Sequence, residues 1–339
     1  MKLIVLVKFS LILTAVVIML GAYTRLSDAG LGCPDWPGCY GQIGAPSSES
    51  QLLDAKNLYP NEVVDSHKAW LEMIHRYFAG TLGLVIFAIA FLSIRSKEIP
   101  PSLPMMLCGV VIFQALLGMW TVTMKLMPIV VMGHLLGGFA LFSLLTLLYC
   151  RLRKRERLID HYNVNPALRP IAIVALIVVI LQIMLGGWTS SNYAALMCTS
   201  LPICEGNWPE LLNFERAFQL YQPGFESYEY GVLDYSARMT IHVTHRIGAM
   251  ITALVVFTLA FKLASQSDSV LNLAGRRLGL VLALQLALGI SNVVLHLPLP
   301  IAVAHNIVAA LLLVGVVSIN YLLWKPHSVV DLSGSISNE

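Results

Sequence analysis

Eight stretches of about twenty mostly apolar residues run through this chain, each long enough to cross a hydrocarbon core of roughly 30 Å at about 1.5 Å of helical rise per residue. They are Leu3–Ala22, Trp70–Ile94, Leu103–Met124, Pro128–Cys150, Ile171–Thr189, Ile241–Leu263, Leu278–Leu295 and Pro298–Trp324. Composition agrees: of 339 residues 57% are apolar and 12% charged, against about a quarter charged in soluble domains, and the mean hydropathy is +0.74. The predicted fold class is therefore an all-α integral membrane protein with eight transmembrane helices. With 22 basic and 19 acidic residues the net charge is only +3, which argues against nucleic acid as a partner, and a disordered chain would need low hydrophobicity with high net charge. Lys2 and Lys8 give the first stretch a resemblance to a signal peptide, but Leu20-Gly21-Ala22-Tyr23 lacks a small-x-small cleavage pattern, so it is kept as a helix.

Basic residues in short loops set the expected orientation. Arg151, Arg153, Lys154, Arg155, Arg157 and Arg169 lie between the fourth and fifth stretches, Arg95 and Lys97 between the second and third, and Arg276 and Arg277 between the sixth and seventh. These loops, and with them both termini, are expected in the cytoplasm. The two long loops carry more acids than bases and are expected outside. Trp70, Trp120, Trp188 and Trp324 fall at helix ends, where an amphipathic ring suits the membrane–water interface. A bacterial cytoplasmic membrane is the simplest location, with membrane lipid as the surroundings.

The chain also repeats itself. Gly21, Thr24, Ala29, Leu31, Cys33, Pro37 and Cys39 recur as Gly186, Thr189, Ala194, Leu196, Cys198, Pro202 and Cys204, displaced by 165; His75 and Arg76 recur as His245 and Arg246, displaced by 170; Gln114, Gly118, Val122 and His134 recur as Gln285, Gly289, Val293 and His305, displaced by 171. Apolar helices match by chance through Leu, Ala and Val, whereas the Cys, His, Arg and Gln matches are informative. The expectation is two tandem four-helix bundles related by a pseudo-twofold internal repeat, residues 1–150 and 170–325, joined by a basic cytoplasmic linker, 151–169, and followed by a cytoplasmic tail, 326–339. Asn163-Val164-Asn165-Pro166 supplies turn chemistry for the linker.

Of nine histidines, His67, His161, His296 and His327 fall in loops or the tail and read as solvated residues. His75, His134, His245 and His305 lie inside the second, fourth, sixth and eighth stretches, all entered from the outside, so their rings are expected in one layer roughly 6–11 Å below the outer surface. An ionisable group inside a span is costly and should face a partner, a metal or a cavity. Imidazole binds transition metals, and a haem can take one axial ligand from each of two helices. Two histidines per half make two bis-histidine haem pockets; the plainer reading is core histidines hydrogen-bonded between helices. Gly133, Gly137, Gly138, Gly80, Gly83 and Gly248 near the sites suit a flat macrocycle, though small residues also serve helix packing.

Arg76 and Arg246 directly follow histidines and are candidates to bind haem propionates, the alternative being arginines that reach to lipid headgroups. Glu72 stands one turn before His75 on the same face, while the matching residue before His245 is His242. A carboxylate in one half alone implies two pockets with different tasks, Glu72 being the catalytic candidate. Cys33 with Cys39, and Cys198 with Cys204, are expected to form two disulfides on the oxidising side, Pro37-Gly38 supplying a turn. They brace the pockets or, alternatively, exchange electrons with a thiol carrier. Their spacing fails for zinc, and Cys108 and Cys150 read as packing residues.

Taken together, the loop from Gly21 to Cys39, the Glu72-Met-Ile-His-Arg76 motif, His134 ahead of Leu135-Leu136-Gly137, Thr244-His-Arg246 and His305-Asn306 resemble the haem A synthases over essentially the whole chain. The resemblance implies an enzyme that oxidises the C8 methyl group of haem O to the formyl group of haem A by way of a hydroxymethyl group. It implies His75 and His134 as ligands of the substrate haem, Glu72 as the catalytic carboxylate, and His245 and His305 as ligands of a resident haem b that carries electrons. A haem O synthase as donor and terminal oxidase assembly as destination follow; homo-oligomer formation is left open. The competing reading is a dihaem b-type cytochrome passing electrons from quinol without altering either haem. A transporter fits less well, since the inner halves of the histidine-bearing helices carry almost no polar groups. The aromatic loop 205–235 is a candidate lid or partner surface.

Overall fold

In lipid, a backbone N–H or C=O without a partner is expensive, so long apolar runs satisfy their backbones internally as helices. The computed structural model describes residues 3–96, 99–156 and 165–324, with no side chains described for 154–156. Lys2, Lys97, Arg157, His161, Asn163, Val164, His327 and the tail 326–339 lie outside the described residues, as do the side chains of Lys154 and Arg155.

Among the described residues there are ten α-helices and no β-strand: α1 Leu3–Leu26, α2 Glu49–Leu58, α3 Ser66–Ser96, α4 Ser102–Thr123, α5 Pro128–Glu156, α6 Leu168–Ser191, α7 Phe214–Ala217, α8 Tyr235–Ala264, α9 Ser269–Val294 and α10 Leu299–Trp324. Eight of them, all but α2 and α7, are long and apolar enough to cross a membrane. This is a multi-pass membrane protein.

Several helices outrun their apolar cores because polar caps start them early. Asp234 accepts the Ala237 N–H at 3.0 Å and opens α8 six residues ahead of the apolar stretch; Asp268 accepts Val270 and Leu271 N–H at 2.9 and 3.0 Å and opens α9 nine residues ahead. A side-chain acceptor there satisfies N–H groups that a helix start otherwise leaves orphaned. The surface helix α2 begins with a capping box, Ser48 and Gln51 serving each other's backbone.

Packing follows one pattern twice. In the first half α1 and α4 each pack on α3 and α5; in the second, α6 and α9 each pack on α8 and α10. The halves meet where α5 lies on α6 and α10, and α1 on α10. A buried core including Phe139, Val179, Leu259 and Val316 runs across this junction. Arg25, at the end of α1, donates to the Ser190 carbonyl at 2.9 Å and sits 4.1 Å from the Tyr193 ring centre, joining the same end of α1 and α6. At the opposite end Arg169 donates to the Leu323 carbonyl at 3.0 Å and lies over Trp324.

Trp188 departs from the interfacial role expected of it. It is buried, and its indole N–H donates to the Ala217 carbonyl at 2.8 Å, because the segment after α6 folds back over it. That segment, the aromatic loop, is packed on the bundle through Ala217, Tyr228 and Leu233, while Phe214, Tyr221 and Tyr230 remain exposed.

Candidate functional site

One continuous cavity of about 1910 Å³ opens between the two halves, nearly twice the upper end of roughly 300–1,000 Å³ for pockets that hold one small molecule. His75, His134, His245 and His305 all line it, with Glu72, Arg76, His242 and Arg246. Because α3 starts at Ser66 and α8 at Tyr235, His75 and His245 lie about two and a half turns inside their helices. The apolar stretches alone set them nearer the surface.

Each ring is seated on a glycine of a neighbouring helix. A Cβ built on Gly21 would lie 2.8 Å from Cε1 of His75; on Gly118, 3.4 Å from Cε1 of His134; on Gly186, 3.2 Å from Cε1 of His245; on Gly289, 3.1 Å from Cε1 of His305. No side chain fits at the tightest of these without moving the ring. The centroids of His75 and His134 stand 6.4 Å apart with planes at 83°. A metal held by two imidazole nitrogens at about 2 Å each sets ring centres roughly 6 Å apart.

Nδ1 of His75, His134 and His305 is buried without a side-chain partner, each ring meeting the backbone of the neighbouring helix, at Val17, Gln114 and Gln285. Among the described residues no three His, Cys, Asp or Glu side chains gather as a metal-ion site. Donors in pairs fit a metal that brings four ligands of its own, as a haem iron does. Gln285 places its amide nitrogen 3.3 Å from Nε2 of His305 and must turn aside for a metal to bind there.

Two loops roof the cavity, each closed by a disulfide: Cys33–Cys39 with Cα atoms 4.8 Å apart and Cys198–Cys204 at 4.9 Å. Arg76 donates to the carbonyls of Asp35 at 3.0 Å, Pro37 at 3.3 Å and Gly38 at 2.5 Å. Arg246 donates to the carbonyls of Cys198 at 2.5 Å, Ser200 at 2.6 Å and Ile203. Both arginines thus hold the loops, a use of their donors that the sequence reading did not foresee.

Glu72 is 5% exposed. Its Oε1 accepts from Arg76 at 2.5 Å and its Oε2 from the Cys33 N–H at 3.0 Å. Outside the membrane-spanning helices, the N–H and hydroxyl of Ser200 hold the Glu205 carboxyl down to about 2, below its ordinary 4.5, and burial pushes the Tyr40 phenol up to about 12.

The match to known proteins covers the same ground. A model of the COX15-CtaA family, described as cytochrome oxidase assembly proteins, matches residues 4–317. The chain belongs to this family. A curated relative from Shewanella oneidensis, named heme A synthase, is 56% identical over 97% of this chain and 98% of its own length. Proteins of the same name from Wolbachia pipientis subsp. Culex pipiens and Nitrosospira multiformis are 26% and 24% identical, covering 86% and 90% of this chain and 89% of their own lengths.

In this COX15-CtaA family member the structure brings Glu72, Arg76, His75 and His134 to one side of the cavity and His242, His245, Arg246 and His305 to the other, and closes both expected cysteine pairs. The sequence reading passed over Gln182. Its amide nitrogen lies 3.0 Å from Nδ1 of His245 and 3.0 Å from the His245 carbonyl. A glutamine amid the apolar residues of α6 was the available signal, since a polar side chain inside a span needs a partner.

Proposed function

We propose that this family member is a haem A synthase: an oxidoreductase that converts the C8 methyl group of haem O to a formyl group by way of a hydroxymethyl group. The observation that carries the reading is the single cavity holding two pairs of glycine-seated imidazoles, with a buried carboxylate beside one pair only. The names of the relatives agree with it.

On this reading His75 and His134 bind the iron of the substrate haem, and His245 and His305 hold a resident haem b, which supplies one-electron redox chemistry when bound. The conversion adds one oxygen atom and removes four electrons, releasing protons within a low-dielectric site. Glu72, one turn from His75, is the carboxylate placed to take up such a proton. Its bonds to Arg76 and the Cys33 N–H fix the position of its oxygens. The disulfide loops keep bulk water off the cavity. Arg76 and Arg246 serve the loops first and reach a propionate only with N–H groups the carbonyls leave over.

The division into halves 1–150 and 170–325, related by a pseudo-twofold repeat, is supported by the matching packing and by matching backbone kinks. Asp28 and Tyr193, 165 apart, have φ of 52° and 53°; Lys125-Leu126 and His296-Leu297, 171 apart, have φ of 42°, 64°, 59° and 61°. The basic loops support a cytoplasmic-membrane protein with both termini inside. Haem O comes from a haem O synthase in the same membrane, and the product goes to terminal oxidase assembly.

Purified protein tests this by extraction of its pigment and identification of the haems by chromatography and mass. Haem O, its hydroxymethyl derivative or haem A in the extract, and conversion of added haem O, are expected. Haem b alone with no turnover would instead identify a dihaem electron-transfer cytochrome.

A further inference from the structure

A haem A synthase must keep one haem and release the other, although both pockets are built on the same plan. The two histidines at matching places, His245 and His75, differ in what holds the ring. Gln182 reaches Nδ1 of His245, and among the described residues nothing bonds its Nε2. A primary amide offers both a donor and an acceptor, so it serves Nδ1 in either protonation state while leaving Nε2 to a metal. The residue 165 earlier is Val17, which offers no side-chain hydrogen bond, so His75 has no side-chain partner at Nδ1 and meets Val17 only through its backbone.

The difference is built in on both sides of the contact. A Cβ at Gly248 would lie 2.5 Å from Oε1 of Gln182, so the amide fits only because α8 carries glycine there. The matching position in α3 is Phe78. Opposite them the glutamines of the two halves also differ, but at the metal-facing nitrogen. The Gln114 amide lies against Gly137, where a Cβ would come within 1.7 Å of its nitrogen, and that nitrogen has no partner. At the matching place the second half has Val308, and Gln285 turns instead to His305. Of the four histidines, only His245 thus has a side-chain partner at Nδ1.

We propose that Gln182 is a positioning residue that makes the second pocket a site of haem retention, and that Val17 at the matching place makes the first pocket a site of haem exchange. Partners that orient a ligating imidazole typically change metal affinity by about 10–100-fold, enough to separate a resident group from a substrate and product that must leave. The inference rests on the haem assignment above.

Haem transfer from the full-length, haem-loaded protein to excess apomyoglobin tests it, followed by absorption spectra with the ferric low-spin signal recorded in parallel. Gln182→Val is expected to speed loss of the slowly released haem by about tenfold or more and to weaken its low-spin signal, with Gln182→Glu restoring slow loss. The double variant Val17→Gln/Phe78→Gly is expected to slow loss of haem O from the first pocket. Unchanged release and spectra in Gln182→Val, in protein that retains its fold by circular dichroism, would overturn the proposal. If His245→Ala leaves the slow haem in place, the haem assignment itself fails; if His245→Ala removes it and Gln182→Val does not speed its loss, only the role of Gln182 fails.

Discussion

Glu72 and His242 occupy the same hydrogen-bonded place in the two halves. Each lies at the N–H of its loop's first cysteine, Cys33 at 3.0 Å and Cys198 at 3.3 Å, and each meets the arginine one turn further on, Arg76 at 2.5 Å and Arg246 at 3.2 Å. A carboxylate has lone pairs enough to accept both bonds, whereas a neutral imidazole can accept at one nitrogen only. The place is thus structural in both halves and can carry a negative charge only in the first.

That relationship supplies a clean substitution. Glu72→His installs a side chain that the same fold already accommodates at position 242. It is expected to leave both haems bound and to lower melting, since the buried Arg76 charge loses its anion, while Glu72→Gln, which cannot take up a proton, is expected to cut conversion of haem O by about 10²–10⁴-fold, the usual range for loss of a general acid or base. Single-turnover assay of haem O with mass detection of the products measures it. Retained conversion in Glu72→Gln would remove Glu72 from the chemistry, whereas retention in Glu72→His alone would show that an imidazole can take over as base.

Arg76 presents a different balance. Its ion pair with Glu72 is buried, with side chains 12% and 7% exposed, and removing one partner of such a pair typically costs about 3–5 kcal/mol because the other charge is stranded. Arg76→Ala should destabilise the protein more than Glu72→His does, because it also releases the three loop carbonyls that Arg76 holds, with Arg76→Lys in between, since an ammonium keeps the charge but not the guanidinium's donors. Thermal unfolding of the three variants in one detergent gives the order.

The disulfides can be separated from electron transfer in the same way. Each closes a loop with a sequence separation of 6, for which chain-entropy arguments give about 2 kcal/mol of stabilisation. Cys33→Ser/Cys39→Ser is expected to lower the melting temperature by a few degrees and to reduce, not abolish, haem O conversion, because Arg76 still holds the loop. Complete loss of turnover with unchanged melting would assign the pair a redox task instead.

Glu205 sets a pH expectation for the second roof loop. Its carboxyl accepts N–H and hydroxyl groups of Thr199 and Ser200, and the Ser200 bonds hold it down to about 2. A depressed carboxyl contributes stability that is fully present above its unfolded value and is lost as pH falls through the folded one. The loop should be indifferent to pH from neutrality down to about pH 5 and loosen only as the acidity approaches the folded value. Glu205→Gln should raise amide exchange at Thr199 and Ser200 already at neutral pH, modestly, since the group is exposed and screened.

How much of this could be read from the sequence differs by kind of interaction. The eight spans were legible because lipid forces a long apolar run to be helical, and the histidines and cysteines stood out because such groups are rare inside a span or need an oxidising side. The early starts of α8 and α9 were not, since Asp234 and Asp268 act through local caps that a window of apolar residues ignores; Ser48 with Gln51 was in principle a readable capping box. Trp188 was misplaced because its burial depends on a loop that returns over it from Ala217. The long-range uses of Arg76 and Arg246, and the pairing of Gln182 with His245, depend on which helices lie side by side, and no local pattern encodes that.

The division of labour between the pockets is the core of the account, and pigment analysis of paired variants tests it most directly. With His75→Ala/His134→Ala, extraction should recover haem b and no haem O or haem A. With His245→Ala/His305→Ala, haem b should be lost while added haem O still binds. Loss of the same haem from both variants, or haem O and haem b each retained in both, would contradict two chemically distinct bis-histidine pockets.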